Sequence, residues 1–372
     1  MDNFPKWVWI VVLVVVVGGG WYLFKGGSAP TETGPIVIGA SLPLSGDTAS
    51  FGEMTKAGIE VAVKEINDAG GVDGRMIEVV YEDDKCSVTG SSVFSKLTAV
   101  DHVVAIVGPV CSPAASSGAP IAQEAHTPTI IWASAPGITL AGSYIFRTYP
   151  SDAFQGKYAA EYVYNNLGKR NVGIIYINHD WGRGLSDTFT KRFTELGGKV
   201  TIAESVNPDS TDVRTVVAKI KATNPDLVYA PMFPAGGVQA IKEARALGLN
   251  VTFFGGDAYD TKDFTGASEV EGTLFTVGKT SQSDEFKARI KAETGVDAGL
   301  FTPMGYDAIK ILAQVIGKVG TNQDAMRAEL TKLSYTEGES FPLISFDADR
   351  DLKEVTVEIK EAKGGVAVPY TP

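Results

Sequence analysis

The sequence predicts an α/β protein: two lobes with parallel-rich sheets, preceded by one N-terminal transmembrane helix. Three observations predict it. Residues 7–24 contain no charged side chain and centre on an unbroken aliphatic run from Ile10 to Val17. From Ile36 onward, short apolar runs of strand length alternate with segments of helical period, the pattern of a parallel sheet covered on both faces. That alternation starts afresh after Phe146-Arg147-Thr148-Tyr149-Pro150, and 372 residues exceed what one compact domain usually holds.

The N-terminal run spans roughly 27 Å as a helix at about 1.5 Å per residue, just enough for a bilayer core of about 30 Å. Trp7 and Trp9 at one end, and Trp21 and Tyr22 at the other, suit the two membrane interfaces; Lys6 and Lys25 flank the run. Residues 1–27 are therefore read as a membrane anchor, with a cleaved signal segment as the alternative. Either places the rest of the chain outside the cytoplasm, in the periplasm or at the cell surface. Residues 28–35, Ser-Ala-Pro-Thr-Glu-Thr-Gly-Pro, read as a flexible linker.

Strand 36–40 precedes a helix over 53–69, in which Ile59, Ala62, Val63 and Ile66 share one face and which Gly70-Gly71 ends. Strand 76–81, helix 91–99, strand 103–107, helix 113–124 and strand 129–133 complete the first set. The second set has helix 154–166, strand 172–177, helix 184–196, strand 200–204 and helix 212–222. Strand 227–230, helix 235–247 and strands 251–254 and 273–277 follow. Helices 303–319 and 324–333 and strands 343–346 and 355–359 come last, and periodicity does not assign them to either half.

Composition narrows the function. Asp and Glu total 44 against 33 Lys and Arg, a formal net charge of −11. Long-range attraction to nucleic acid or anionic lipid is thereby excluded. Three His and two Cys lack zinc-ligand spacing, and no dinucleotide, phosphate-loop or nucleophile-elbow motif is present. No cofactor, metal site or catalytic residue is expected, and His102, His126 and His179 read as surface residues. Cys86 and Cys111 follow neighbouring strands, whose end turns lie side by side; a disulfide is expected, with a reactive thiol pair as the alternative.

Ser112 caps and Pro113 opens a helix at the carboxyl end of a strand, where amide N–H groups favour an anion such as a ligand carboxylate. Trp132-Ala133-Ser134 offers a second such edge. Asp257, just past strand 251–254, is placed to pair with a ligand ammonium. Trp132 and Trp181 also lie just past strand ends, where clefts of open α/β sheets form.

Several segments carry a resemblance. They are Ile38-Gly39-Ala40-Ser41-Leu42-Pro43-Leu44-Ser45-Gly46, Ala57-Gly58-Ile59-Glu60, and Ile66-Asn67-Asp68-Ala69-Gly70-Gly71-Val72-Asp73-Gly74. With Asp83-Asp84-Lys85-Cys86, Gly108-Pro109-Val110-Cys111-Ser112, Phe146-Arg147-Thr148 before Ser151-Asp152-Ala153-Phe154-Gln155-Gly156, and Asn224-Pro225-Asp226, they recur in order along one chain. From Ile36 to its end the chain resembles the type 1 periplasmic binding proteins, specifically the branched-chain amino-acid (leucine/isoleucine/valine) binding family of ABC transporters.

The resemblance implies two Rossmann-like lobes joined by a three-crossing hinge, near 149–151, 277–280 and 346–349, that shuts on the ligand. Lobe 1 would comprise 36–149 plus 280–345, and lobe 2 would comprise 150–279 plus 346–372. It implies that Ser112 and Ser134, with backbone groups near Cys111 and Ala133, hold the ligand's α-carboxylate. Asp257 would hold the ammonium, and Phe51, Trp181, Phe233, Tyr149 and Phe301 would form aromatic walls.

Two departures from the family stand out. Trp132-Ala133 replaces a Ser-Pro-rich approach to the second carboxylate loop, putting a large ring near the ligand. The lipid-bearing Cys is missing, so tethering falls to the N-terminal helix. The implied function is an extracytoplasmic solute-binding protein that passes an amino acid, with a branched-chain or other apolar or aromatic side chain, to an ABC permease. The alternative is a receptor domain that senses amino acids, amides or related small molecules and signals to a partner protein.

Overall fold

The computed structural model describes residues 34–371 apart from 209 and 211. The predicted anchor and nearly all of the linker lie outside them. Among the described residues no helix is long and apolar enough to cross a membrane.

Strands β1 (Ile36–Leu42), β2 (Ile77–Asp83), β3 (Ala105–Val107), β4 (Thr129–Ile131) and β5 (Ile145–Arg147) form a parallel sheet in the order β2-β1-β3-β4-β5. Helices α1 (Ala49–Asp68), α2 (Gly90–Ala99) and α3 (Ser112–Glu124) are its crossovers. Covered on both faces, β1 and β3 bury nearly every side chain, which is why they read as continuous apolar runs rather than alternating ones.

The second sheet contains β6 (Asn171–Ile177), β7 (Lys199–Val206), β8 (Leu227–Tyr229), β9 (Thr252–Gly255) and β10 (Leu274–Gly278), all parallel. Helices α4 (Asp152–Asn165), α5 (Asp180–Glu195), α6 (Arg214–Ala222) and α7 (Pro234–Ala246) accompany it. Two antiparallel strands, β11 (Val357–Lys363) and β12 (Val366–Pro369), extend it beyond β10 to give the order β12-β11-β10-β9-β8-β6-β7. Gly364-Gly365, both at positive φ, make the tight turn between them.

The late helices settle on the first half. After the one-turn α8 (Lys262–Thr265) come α9 (Asp284–Thr294), α10 (Thr302–Val319) and α11 (Gln323–Leu330). α10 lies directly on α1, and two glycines allow the approach. A Cβ at Gly58 would stand 2.0 Å from the Thr302 carbonyl oxygen, and one at Gly305 would stand 2.4 Å from that of Thr55. Glu65 of α1 accepts from the Tyr306 hydroxyl at 2.6 Å and pairs with Lys310 at 3.2 Å and Arg289 of α9 at 3.0 Å.

Some expected elements differ. Residues 343–346 form no strand; Ile344 and Phe346 make only single bridges, to Tyr335 and Leu352, because Pro342 precedes them and no neighbouring strand is long enough to pair. The last strand begins at Val357 rather than 355. β5 and β12, at three and four residues, are too short to show a period. α9 was hidden by its polarity, since only Phe286 and Ile290 are buried; Ser283 is its cap, accepting from the Phe286 N–H at 3.0 Å.

Candidate functional site

Between the carboxyl ends of the two sheets lies a cavity of about 30 Å³, room for roughly two water molecules. Phe51, Val110, Cys111, Ser112, Trp132, Ser134 and Phe301 line it from one side, and Trp181, Phe233, Asp257 and Ala258 from the other. The cleft is shut. Nine of the residues singled out from sequence meet there. Ala133 and Tyr149 do not line it but stand behind it, both buried. Val110 and Ala258 were missed; their only signal was adjacency to Cys111 and Asp257.

One end of the cavity is built around α3. Cys111, not Ser112, occupies the cap position, and Ser112 is the first helical residue, with no side chain capping that terminus. The expected cap shifts by one because Cys111 has the extended conformation. The Ser112 Oγ accepts the Ala135 N–H at 3.1 Å, which leaves its own proton for an acceptor in the cavity. Cys86 and Cys111 form a disulfide with Cα atoms 5.1 Å apart, tying the loop after β2 to this terminus. The neighbouring carbonyls of Ala133 and Ala135 accept from the fully buried Arg147 guanidinium at 3.3 and 2.8 Å. Arg147 also pairs with Asp351 at 2.7 Å.

The other end of the cavity is Asp257, in a single helical turn (Asp257–Tyr259) after β9. Its Oδ1 accepts from the Trp181 indole N–H at 3.2 Å, and its Oδ2 from Gln155 at 3.4 Å. Burial pushes its carboxyl up to about 6, against the pull of hydrogen bonding from Tyr149, Gln155 and Trp181. Asp152, at the start of α4, is a second buried acid the sequence did not single out. Neither of its oxygens is hydrogen-bonded, and burial together with the charge of Asp257 holds its pKa well above the ordinary range. Asp257 is the one acid of the cavity wall. No basic side chain lines it.

Aromatic rings form the rest. Trp181 stacks on Phe233 with centroids 5.6 Å apart, while Phe51 meets Phe233 edge-on at 6.2 Å and Phe301 at 5.2 Å. His179 is not the surface residue expected from sequence. Its ring packs 4.8 Å from Phe233, both nitrogens are shielded without a partner, and burial lowers its pKa to about 4. It stands as a neutral wall behind the aromatic layer. Among the described residues no group of three or more His, Cys, Asp or Glu is placed to hold a metal ion.

Residues 35–354 match the sequence model of a family described as periplasmic binding protein. A leucine-, isoleucine-, valine-, threonine- and alanine-binding protein of Pseudomonas aeruginosa is 28% identical over 337 residues, 88% of this chain and 89% of the relative. The crystal structure of a leucine-binding protein from Thermotoga maritima matches with a TM-score of 0.83 at 27% identity, covering 90% of this chain and 98% of that one. A branched-chain amino acid transporter substrate-binding protein from Streptococcus pneumoniae, solved in complex with isoleucine, matches with a TM-score of 0.79 at 26% identity. It covers 90% of this chain and 100% of its own.

Proposed function

The chain belongs to the periplasmic binding protein family, and on that premise we propose that it is the extracytoplasmic solute-binding component of an ABC transporter for amino acids. The observation that carries this reading is the polarity of the cavity. One end offers a hydroxyl and a helix N-terminus, the other a buried carboxylate, with rings between. A zwitterion satisfies both ends at once. An aromatic acid without an amine would leave Asp257 unpaired and add a second negative charge with no basic side chain to meet it.

The action is capture rather than catalysis. The ligand carboxylate rests against Ser112, Ser134 and the first amides of α3; its ammonium rests on Asp257; closure excludes water and strengthens both contacts. Residues 36–149 with 280–345 act as one lobe and 150–279 with 346–372 as the other. The hinge is the three chain segments that pass between them. Two hydrogen-bond sets join these segments: the Gly278 N–H donates to Tyr149 at 3.1 Å, and the Arg147 N–H donates to the Arg350 carbonyl at 2.9 Å. An ABC permease receives the cargo, and residues 7–24 tether the protein to the membrane.

Isothermal titration of the full chain in detergent with L-amino acids, amides and benzoate tests the reading. Saturable binding of amino acids but not of benzoate is expected, and Asp257→Ala should weaken that binding at least about tenfold. Benzoate binding without amino-acid binding would overturn it.

A further inference from the structure

Two tryptophans stand at the cavity, and only one has a partner inside the protein. The Trp181 indole N–H is committed to Asp257. Trp132 follows β4, lines the cavity and is 1% exposed, yet its Nε1–H meets no acceptor among the described residues. Its backbone N–H is already held by the Pro109 carbonyl at 3.4 Å, so the main chain is anchored and only the ring's donor is left over. Buried N–H groups are nearly always paired, and an indole can donate but not accept.

The ring is part of the cavity wall. With the cleft shut only about 30 Å³ remains. A ligand that satisfies this wall brings an acceptor to the Trp132 donor as well as to the Ser112 hydroxyl. We propose that Trp132 is the specificity-determining residue, its indole N–H donating to an oxygen on the ligand's side chain, so that the cleft prefers hydroxyl or amide amino acids over their apolar isosteres. This inference rests on the zwitterion reading, which fixes the two backbone-like ends of the ligand and leaves the side chain to meet Trp132. Sites that hydrogen-bond a substrate group reject the analogue lacking it far more strongly than apolar pockets reject a missing methylene.

Matched pairs test it, threonine against valine and serine against alanine, titrated calorimetrically into the full chain in detergent. The wild type should bind threonine at least tenfold tighter than valine, and serine tighter than alanine. Trp132→Phe keeps a ring but removes the donor, and should bring the threonine-to-valine ratio to within about twofold while valine still binds. The Trp132 indole ¹⁵N–¹H resonance should move on adding threonine and not on adding valine, a readout that needs no variant. Equal affinities within each pair in the wild type, or a preference retained in Trp132→Phe, would overturn this inference alone. Binding of none of the four while another L-amino acid binds would also overturn this inference alone, and binding of no amino acid would remove the zwitterion reading with it.

Discussion

Asp257 works under two opposed demands. Burial makes its attraction for an ammonium strong, because little water screens it, and the same burial disfavours its charge. The pKa of about 6 is the balance, with neutral donors from Tyr149, Gln155 and Trp181 holding the anion. Burial and the charge of Asp257 raise the pKa of Asp152 in α4, which disfavours a second charge beside Asp257. A carboxyl raised from 3.8 to about 6 binds protons more tightly in the native state than in the unfolded one. Its contribution to unliganded stability is therefore greatest at low pH and declines as pH rises from about 4 to 6, and Asp84 and Asp307, both also raised to about 6, act the same way. On the proposed zwitterion reading ligand affinity runs in the opposite direction, since an ammonium on Asp257 needs the ionised form. Titration calorimetry should find binding about tenfold weaker at pH 5 than at pH 7, with proton release on binding at pH 5. A flat profile would mean that the ammonium does not rest on Asp257.

α3 organises the end of the cavity opposite Asp257, and its N-terminus is held by two ties, one of them to a loop that Arg147 braces. The disulfide joins it to the loop after β2, the Ser112 hydroxyl joins it to the loop after β4, and Arg147 fixes the carbonyls of that second loop. Replacing both cysteines, as Cys86→Ser with Cys111→Ser, should cost about 3 kcal/mol of unfolding free energy in urea titration and speed ligand release in stopped-flow measurements. Unchanged release with reduced stability would show that the Ser112 tie to the braced loop suffices. Much of this element was legible in sequence, because Ser112-Pro113 after a short apolar run is a local signal. The one-residue shift of the cap was not, since it depends on the backbone angle of Cys111. Elements whose identity depends on distant partners were the ones missed. β12 exists only as the hairpin partner of β11, and α9 hides a two-residue apolar stripe among charges. Asp152 escaped notice for a similar reason: an acid in a first helical turn ordinarily faces water, and only the meeting of the two halves buries it.

At the scale of the whole molecule the question is what keeps the halves shut. On one rim Lys262 of α8 pairs with Asp297, which follows α9, at 2.5 Å, but both side chains are more than half exposed and such a pair contributes little. The other rim is steric. Gly184 of α5 faces Pro136 in the loop after β4, and a Cβ there would come within 2.8 Å of the proline ring. This glycine sits inside a helix, where it has no conformational need to be glycine, so the close approach of the two halves accounts for it. Leucine is a better helix former, and Gly184→Leu should leave the unliganded protein as stable as the wild type or slightly more so. It should also act as a wedge. Closure would stop short, the carboxylate and ammonium contacts could not form together, and affinity should fall at least about tenfold, a loss of roughly 1.4 kcal/mol. Small-angle scattering separates the causes: saturating ligand should contract the wild type and contract Gly184→Leu less. If the variant binds and contracts like the wild type, the rim between α5 and the β4 loop does not close during capture, and the aromatic contact of Phe51 with Phe233 must be what holds the cleft.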